Sequence, residues 1–274
     1  MTPGLVPSGR DRAEMERAMS ESPCNFAWYE LMTTDTAAAA SFYNSVVGWN
    51  TTDIGSPTMP YTSFNVGRTG VAGLMALPKD AGPTPAWIGY VHVPDVDVHV
   101  ERFVAAGGQL HRGPTDVPGM LRFAVMIDPE GAPLVMFTAD PKMPSNPVRP
   151  EPGTSGTIGW AELMATDGDA AFAFYSKLFG WTKGAAHDMG AMGIYQIFDI
   201  NSVPSGGIMS RPPNVPGPFW SYSFNVDAIG AAVTRIHTGG GRVVNGPHQV
   251  PGGQWIVQAV DPQGASFALV SWVA

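Results

Sequence analysis

The hydrophobic and polar positions of the chain predict a strand, a helix and then three more strands. The segment FAWYELMT (26–33) alternates as a half-buried strand does. Asp35 then fits the N-cap of a helix, and AAAASFYNSVV (37–47) carries an apolar stripe at helical spacing that ends at Gly48. Further short strands are predicted around residues 49–54, 60–66 and 71–76.

A second unit with the same order of elements follows at once. WIGYVHV (87–93) predicts its first strand, and Asp95 fits the N-cap of a helix over VDVHVERFVAA (96–106), which a Gly-Gly pair ends. The turn DPEG (128–131) has Asp, Pro and Gly at the positions that they favour in a type I turn. The other strands of this unit are predicted around residues 108–112, 121–127 and 133–138.

The chain carries this pair of units twice. WYELMTTD (28–35) recurs as WAELMATD (160–167), with six of eight positions identical at a distance of 132 residues (160 − 28). The sequence therefore predicts a tandem duplication over about 25–138 and 158–273, in the α+β class, with two βαβββ units per domain forming a curved mixed sheet around a cleft. Further residues that recur at nearly the same offset are Phe42-Tyr43 as Phe174-Tyr175, Gly48-Trp49 as Gly180-Trp181, Tyr61 as Tyr195, Trp87 as Trp220, and DPEGA (128–132) as DPQGA (261–265).

The duplication divides the chain into an N-terminal extension (1–24), a first domain (25–138), a proline-rich linker (139–157) and a second domain (158–274). The linker holds five prolines and no apolar periodicity, which is typical of a semi-extended connection. Because the repeating pattern begins only at about residue 25, Met19 is a candidate for the natural start of the protein.

Composition and charge exclude several classes of partner. The net charge is −8 and lysine and arginine form no cluster, so we expect no nucleic-acid surface. No stretch reaches the ~18 uninterrupted apolar residues of a membrane span, and residues 9–22 are polar, unlike a signal peptide. We therefore expect a cytoplasmic protein. The single cysteine, Cys24, excludes a disulfide framework, and we expect it in a mobile segment before the first strand, where nucleophilic catalysis is not favoured.

Three motifs together identify a family. The strand motif W-x-E-L-M-x-T-D, the helix end F-Y-x-x-x-x-G-W and the turn D-P-x-G-A resemble the vicinal oxygen chelate superfamily, which includes glyoxalase I, extradiol dioxygenases, bleomycin-resistance proteins and fosfomycin-resistance enzymes. The resemblance covers nearly all of residues 25–273 and is strongest to a two-domain bacterial subgroup. It implies a divalent metal held by His, Gln or Glu from the first and last strand of each unit.

The positions to which the resemblance assigns metal ligands hold no such residues. The first ligand falls on Trp28 and Trp160, and the last on Val135 and Ala268. The intermediate positions fall on Met75 and Met209 and near Gly89 and Ser221. Since hard divalent ions need oxygen or imidazole ligands, we predict no metal and no other cofactor. The only residues that could still serve as ligands are Glu30, Glu162 and His92.

Glu30 and Glu162 are the candidate catalytic residues. Each lies two positions after a tryptophan, so strand alternation puts Glu30 with Trp28, and Glu162 with Trp160, on one face of the sheet. Burial in an aromatic setting would raise the pKa of the carboxyl group and suit a general acid or base. Contact with a ligand, capping of backbone amides and pairing with an arginine are the alternatives.

Recurring aromatic and methionine residues are predicted to line the cleft, whereas Trp49 and Trp181, directly after the helix-ending glycines, are assigned to the core. His92 has Asn225 as its counterpart, so the two halves share no histidine ligand. The predicted ligand-binding residues are Trp28, Tyr61, Met75 and Trp87 in the first domain and Trp160, Tyr195, Met209 and Trp220 in the second.

These residues predict a protein that binds a small apolar or aromatic molecule, such as a metabolite, drug or electrophile, in a tryptophan-lined cleft without the usual metal site. The alternatives are a metal-dependent lyase or dioxygenase of glyoxalase type, a metal-independent enzyme using Glu30 or Glu162 as general acid or base, and a structural or protein-interaction role. Whether the protein is an enzyme stays open at this point. We expect a small molecule as the partner and a monomer, which duplication makes a pseudo-dimer, or a homodimer.

Overall fold

The computed structural model describes residues 24–78, 84–142 and 150–274. The predicted N-terminal extension, including the candidate start Met19, lies outside the described residues except for Cys24. The middle of the predicted linker (143–149) also lies outside them.

Each half of the chain contains two βαβββ units in succession. The helices are α1 (Thr36–Val47), α2 (Val96–Ala105), α3 (Gly168–Phe179) and α4 (Ile229–Thr238), with a short 3₁₀ turn at Gly190–Met192. The strands of the first half are β1 (Asn25–Thr33), β2 (Asn50–Asp53), β3 (Thr62–Val66), β4 (Thr69–Ala76), β5 (Ala86–His92), β6 (Gln109–Val117), β7 (Leu121–Ile127) and β8 (Pro133–Ala139). Those of the second half are β9 (Ile158–Ala165), β10 (Thr182–Asp188), β11 (Ile194–Ile200), β12 (Val203–Ser210), β13 (Phe219–Asn225), β14 (Arg242–Gln249), β15 (Trp255–Val260) and β16 (Ser266–Ser271).

The helix boundaries follow the predicted capping residues. Asp35 accepts a hydrogen bond from the backbone N–H of Ala38, which begins α1, and Gly48 ends it in the left-handed region at φ 87°. Asp95 begins α2 in the same way. Gly180 ends α3 at φ 71°. The predicted cap residues of α1 and the predicted N-cap of α2 are therefore confirmed, whereas the C-cap of α2 is Ala106, directly before the predicted glycine pair.

The strands form two eight-stranded mixed sheets of identical topology. The first has the order β2-β3-β4-β1-β5-β8-β7-β6, and the second β10-β11-β12-β9-β13-β16-β15-β14. The neighbours β1 and β4, and β5 and β8, are parallel, and so are their counterparts in the second sheet. The predicted α+β fold of tandem domains, each with two βαβββ units, is confirmed.

Each sheet has two distinct faces. The helix-packed face of the first sheet carries Leu31, Trp87 and Val91, which belong to the same core cluster as residues of α1 and α2. The open face carries the alternate residues, including Glu30 and Tyr90. The apolar residues that pack together on the open face all belong to strands in the described chain, yet Glu30 and Tyr90 are buried there. The sheet therefore curves around its own side chains.

The helix-packed faces of the two sheets merge into one core through reciprocal contacts between the halves. Trp49 Nε1 donates to the backbone oxygen of Gly156 at 2.6 Å, and Trp181 Nε1 donates to that of Cys24 at 2.6 Å. Both tryptophans are buried, which confirms their assignment to the core. The rings of Phe42 and Phe267, and of Phe103 and Phe174, also meet across the halves.

Cys24 is a fixed part of this core. Only 4% of its surface is exposed, and its backbone N–H donates to the Phe179 oxygen of the second half. Its thiol lies 3.9 Å from His99 Nε2. The prediction of a mobile segment is therefore wrong for this residue, because the second half anchors it from a distant part of the sequence.

Among the described parts of the chain, no helix has the length and apolar character that crossing a membrane requires.

Candidate functional site

A hydrogen-bonded chain of Trp, Tyr and Glu lies on the open face of each sheet. In the first half, Trp28 Nε1 donates to the Tyr61 hydroxyl at 3.0 Å, and that hydroxyl donates to Glu30 Oε2 at 2.7 Å. The structure thus brings together residues that lie in β1 and just before β3.

The second half repeats this arrangement. Trp160 Nε1 donates to the Tyr195 hydroxyl at 2.6 Å, and Tyr195 hydrogen-bonds to Glu162. Three of the predicted site residues therefore lie together on the open face of each half. They are Trp28, Glu30 and Tyr61 in the first half and Trp160, Glu162 and Tyr195 in the second.

A glycine in the strand between them lets each tyrosine reach its glutamate. Gly73 of β4 pairs with Glu30, and a Cβ at Gly73 would lie 1.9 Å from the Tyr61 hydroxyl oxygen. Gly207 of β12 pairs with Glu162, and a Cβ there would lie 2.1 Å from Tyr195 Cζ. Only a residue without a side chain leaves room for the ring at this point.

The two open faces differ on the neighbouring strand. In the first half, Tyr90 of β5 stands opposite Trp28, and its hydroxyl donates to Glu30 Oε1 at 2.9 Å. In the second half, Ser223 of β13 stands opposite Trp160 in the equivalent place. Glu30 therefore accepts hydrogen bonds on both carboxylate oxygens, whereas Glu162 has Tyr195 as its one hydrogen-bonding side chain among the described residues.

Three further open-face positions also change from large to small. The ladder partner of Glu30 is Ile88, whereas that of Glu162 is Ser221. On the last strand, Val135 and Phe137 of the first half correspond in register to Ala268 and Val270 of the second. Each of these three replacements, like that of Tyr90 by Ser223, removes side-chain volume from the second half, whereas Ile197 is larger than its counterpart Ser63.

As a result, larger side chains cover the first open face than the second, although Met209, Ala268 and Val270 are buried on the second as well. Ile88, Tyr90, Val135 and Phe137 form a buried apolar cluster over which Trp28 packs, and Glu30 is 6% exposed. No equivalent cluster forms on the second open face within the described chain, where Glu162, Ser221 and Ser223 are only half-buried. We name the part of the second open face formed by Trp160, Glu162, Tyr195, Ser221 and Ser223 the second-half groove.

The electrostatics of the two glutamates follow from these surroundings. Burial raises the pKa of Glu30, while the hydrogen bonds from Tyr61 and Tyr90 oppose this rise. Burial also raises the pKa of Glu162, opposed by the hydrogen bond from Tyr195 alone. Neither glutamate forms an ion pair with an arginine in the described residues, so the predicted alternative of an arginine partner is not what the structure shows.

A second carboxylate lies on the open face of the second half. Asp199 occupies the place of Asn65, since the two residues pair with Thr182 and Asn50 in equivalent ladders. Asn65 is held by several hydrogen bonds, among them one to Thr52. Asp199 Oδ1, in contrast, is buried without a hydrogen-bond partner.

Two of the predicted ligand-binding residues lie on the other face. Trp87 and Trp220 are 7% and 6% exposed in the shared core, where their indole N–H groups donate to the hydroxyls of Tyr43 and Tyr175. This placement does not fit the predicted lining of a cleft, because alternation turns these side chains away from the open face. Met75 and Met209 do lie there, beside Met32 and Met164 of the central strands; Met75 is half-buried and Met209 buried.

The residues present do not fit a divalent metal centre. The positions that the resemblance assigns to the first ligands hold Trp28 and Trp160, whose indole N–H groups donate hydrogen bonds to tyrosine hydroxyls. The positions of the last ligands hold the apolar side chains of Val135 and Ala268. His92 contacts the Phe137 ring at 5.4 Å. No group of three or more His, Cys, Asp or Glu side chains suited to a metal occurs in the described residues.

Two further depressions are distinct from the groove, although the second shares Trp160 with it. One of about 320 Å³ lies beside the start of α2, where Arg122 forms ion pairs with Asp97 and Asp116. The other, of about 400 Å³, lies between the halves, with Tyr29 and Trp160 among its lining residues. Neither is lined by Glu30 or Glu162.

Tyr90, Ser221 and Ser223 are the site residues that sequence reasoning missed. The repeat offset pairs Tyr90 with Ser223 (223 − 90 = 133), so the signal was a large residue replaced by a small one at one strand position. The sequence does not show that this position belongs to the site, because only the pairing of the strands places it opposite the tryptophan.

The paired βαβββ units around a half-open face define a tandem protein of the vicinal oxygen chelate architecture. The family model of the Glyoxalase/Bleomycin resistance protein/Dioxygenase superfamily matches residues 25–136 and 157–269, and the chain belongs to this superfamily.

Relatives of similar length carry two kinds of name. The chain is 31% identical over 248 residues to "Putative glyoxylase CFP32" of Mycobacterium tuberculosis, covering 89% of this chain and 93% of the relative. It is 32% identical over 262 residues to "Anthracycline biosynthesis protein DauV" of Streptomyces sp. strain C5, covering 89% and 92%. The Mn(II)-bound glyoxalase of Novosphingobium aromaticivorans shares the fold, with a TM-score of 0.62, 16% identity and coverage of 93% and 83%.

Proposed function

We propose that the protein binds a small molecule with an apolar or aromatic body in the second-half groove, without a metal. The Trp160 indole would form one wall, and Glu162 would accept a hydrogen bond from the ligand. The observation that carries this proposal is the replacement of Tyr90 by Ser223 at the position facing the tryptophan.

The physical argument concerns what fills the first open face. There, Tyr90 and its neighbours bury Trp28 and complete the hydrogen bonding of Glu30. The second half keeps Trp160, Tyr195 and Glu162 but lacks the filling residues. A groove with an aromatic wall and one half-buried acceptor suits a ligand that is mostly apolar and carries few polar groups.

A second candidate function is proton transfer by Glu162. Burial raises the pKa of this carboxyl group towards the range useful for a general acid or base, and the residue is less completely buried than Glu30. Glu30 is the weaker candidate, because two tyrosines occupy its carboxylate oxygens. The names of the relatives, a glyoxylase and an anthracycline biosynthesis protein, are compatible with an enzyme, and the reaction class is open.

The third alternative, a metal-dependent lyase or dioxygenase of glyoxalase type, is disfavoured by the donor set. It is tested by measuring metal content in untagged protein purified without chelator and incubated with Zn, Ni, Mn and Fe(II). We expect no metal above background. Near-stoichiometric metal would overturn the metal-free proposal and make Glu30, Glu162 and His92 the residues to mutate.

The proposed binding is tested by screening small apolar and aromatic compounds for an increase in Tm and for quenching of tryptophan fluorescence. Ser223→Tyr should abolish the response, because it gives the groove the filling residue of the first half. Tyr90→Phe, which keeps the first half filled, serves as the matched control and should bind as the unaltered protein does. Hits that bind Ser223→Tyr equally well would place the site elsewhere.

Proton transfer is tested separately, with Glu162→Gln. The second candidate expects this variant to bind ligand and lose turnover, whereas a purely binding protein shows no turnover to lose. A cytoplasmic location, the absence of a cofactor, and a monomer or homodimer remain predictions that accompany this proposal.

A further inference from the structure

In the first half, the side chain of Tyr90 occupies the place that corresponds to the second-half groove. The Tyr90 side chain lies over the open face with its phenol hydroxyl 2.9 Å from Glu30 Oε1. Its ring meets that of Phe137 edge-on, with centroids 6.1 Å apart and an angle of 65°. Only 9% of Tyr90 is exposed. A phenol is thus bound by the chain itself, between apolar side chains and a carboxylate.

The second half keeps the acceptor and lacks the phenol. Tyr195 engages Glu162 as Tyr61 engages Glu30, and each tyrosine also accepts the indole N–H of its tryptophan. The difference that concerns the phenol is that Ser223 stands where Tyr90 stands and Val270 replaces Phe137. Ser221, Ala268 and Asp199 also replace Ile88, Val135 and Asn65 on this face. The space and the unused acceptor capacity in the second half therefore correspond to a phenol ring and its hydroxyl.

We propose that the ligand of the second-half groove is a neutral hydroxyaromatic molecule whose hydroxyl donates to Glu162 and whose ring takes the place of the Tyr90 ring. This inference rests on the proposed function and specifies its ligand class.

The carboxyl group of Glu162 favours a hydroxyaromatic ligand over three other classes, namely hydrocarbons, carboxylates and ammonium compounds. A plain hydrocarbon ring would cover Glu162 without offering it a hydrogen bond, and a desolvated acceptor without a partner is destabilising. A ligand carboxylate would be repelled, because no arginine or lysine pairs with Glu162 in the described chain. A ligand ammonium could also donate, but the occupied half uses a neutral donor at the same position.

Charge near the two sites supports a neutral donor as well. In the first half Arg112 lies close enough to Tyr90 to lower the pKa of that phenol, although burial and Glu30 raise it overall. The second half has Asn245 in the ladder position of Arg112, and its side chain donates to Gln258. A hydroxyl in the second-half groove would therefore meet no cation that favours its ionisation.

The experiment uses p-cresol, which reproduces the tyrosine side chain, with toluene, p-toluate and benzylamine as matched probes. Binding to the full chain is measured by calorimetry and by ligand-observed NMR. We expect p-cresol to bind at one site at least about tenfold more tightly than toluene, the ratio that one hydrogen bond to a charged acceptor supplies. Ser223→Tyr should abolish this binding, and Ser223→Leu, a smaller filling residue, is the second variant should the first fail to fold.

Tyr90→Ser provides the converse test. It creates in the first half the gap that the second half has, so p-cresol should raise the Tm of this variant more than that of the unaltered protein, and the stoichiometry should rise from one to two. A variant that folds and binds no additional p-cresol would overturn the equivalence of the two sites.

The outcomes separate the ligand class from the site. Equal binding of toluene and p-cresol, or preferred binding of benzylamine, with loss of both in Ser223→Tyr, would overturn the hydroxyaromatic class and leave the groove as the site. Binding that Ser223→Tyr and Ser223→Leu do not change would overturn both proposals. No binding of any probe up to its solubility limit would overturn the hydroxyaromatic inference, while the compound screen decides on the groove.

Discussion

The hydroxyl of Tyr43 in the first half donates a hydrogen bond to Asp261 Oδ2 in the second, at 3.1 Å. The reverse pair, Tyr175 and Asp128, does the same at 2.9 Å. Each aspartate lies in the turn before the last strand of its half, and its Oδ1 accepts backbone N–H groups of that turn. A helix of each half is thus anchored on a buried turn of the other.

Removal of one of these hydroxyls should destabilise the whole molecule. Tyr43→Phe leaves Asp261 Oδ2 without its partner at a site that is 4% exposed, so we expect a loss of ~1–3 kcal/mol in the free energy of unfolding. Urea denaturation followed by circular dichroism measures it, and Tyr175→Phe should give a similar loss. Because the contacts join the halves, unfolding should stay a single transition. A loss below about 0.5 kcal/mol in both variants would contradict the anchoring role.

Tyr90→Phe should destabilise the protein more at neutral pH than at acid pH. The Tyr90 hydrogen bond lowers the pKa of Glu30, which burial raises above 4.5, so its removal raises that pKa further. Below pH 4.5 the carboxyl is protonated in both folded and unfolded states and the variant loses little. As pH rises through the folded pKa, the unaltered protein ionises Glu30 with a partner, and the variant does so without one.

The comparison is made by urea denaturation at pH 4 and pH 7. Ser223→Ala is the control in the other half, and its effect should not depend on pH, since no hydrogen bond from Ser223 to Glu162 exists in the described structure. An effect of Tyr90→Phe that is equal at both pH values would mean that Glu30 does not depend on this hydroxyl.

Tyr195→Phe should shift the pH dependence of ligand binding. The Tyr195 hydrogen bond lowers the pKa of Glu162, so the variant has a higher pKa there. If the ionised carboxylate accepts the ligand hydroxyl, binding weakens as Glu162 becomes protonated, and this acid limb should move to higher pH in the variant. Calorimetric titrations with p-cresol between pH 4 and pH 8 measure the shift. A limb that moves to lower pH would exclude Glu162 as the acceptor.

Gly207→Ala and Gly73→Ala should have different consequences although they are equivalent positions. Each added Cβ would collide with a tyrosine ring, at 2.1 Å from Tyr195 Cζ and 1.9 Å from the Tyr61 hydroxyl, so each should cost about 1–3 kcal/mol of stability. Displacing Tyr195 should also abolish ligand binding, whereas displacing Tyr61 should not, because only the second half has a groove. Equal loss of binding in both variants would argue against a single site.

The thiol of Cys24 should react only after unfolding. Burial raises its pKa to about 11, and 4% of the residue is exposed, so little thiolate reaches solvent at pH 8. The rate of labelling by a disulfide reagent should therefore follow the unfolding rate as urea is increased. Fast labelling of the folded protein would contradict the fixed position of this segment.

The elements with local signals were predictable from the sequence. Asp35 and Gly48 bound α1 because an N-cap and a left-handed C-terminal residue depend only on their immediate neighbours. The duplicated octet likewise placed Trp28, Glu30 and their counterparts on one face, because strand alternation has a period of two.

Features that depend on strand pairing or on the other half were not predictable. Trp87 and Trp220 were assigned to the cleft. The pairing of β5 with β1, which contains an irregularity between Phe26 and Trp28, instead places Trp87 opposite Leu31 in the core. Cys24 was expected to be mobile, but the partners of its backbone N–H and C=O, Phe179 and Trp181, lie more than 150 residues away (179 − 24 = 155).

The reciprocal Tyr–Asp anchors make the chain equivalent to a dimer whose two subunits are covalently joined. In a dimer of identical chains, any substitution at the Tyr90 position would appear in both copies, so both sites would be closed or both open. When the two copies are joined in one chain, each half can acquire substitutions that the other half does not share. The first copy covers its open face with large buried side chains, while the second carries smaller ones at the equivalent positions and is supported by its partner.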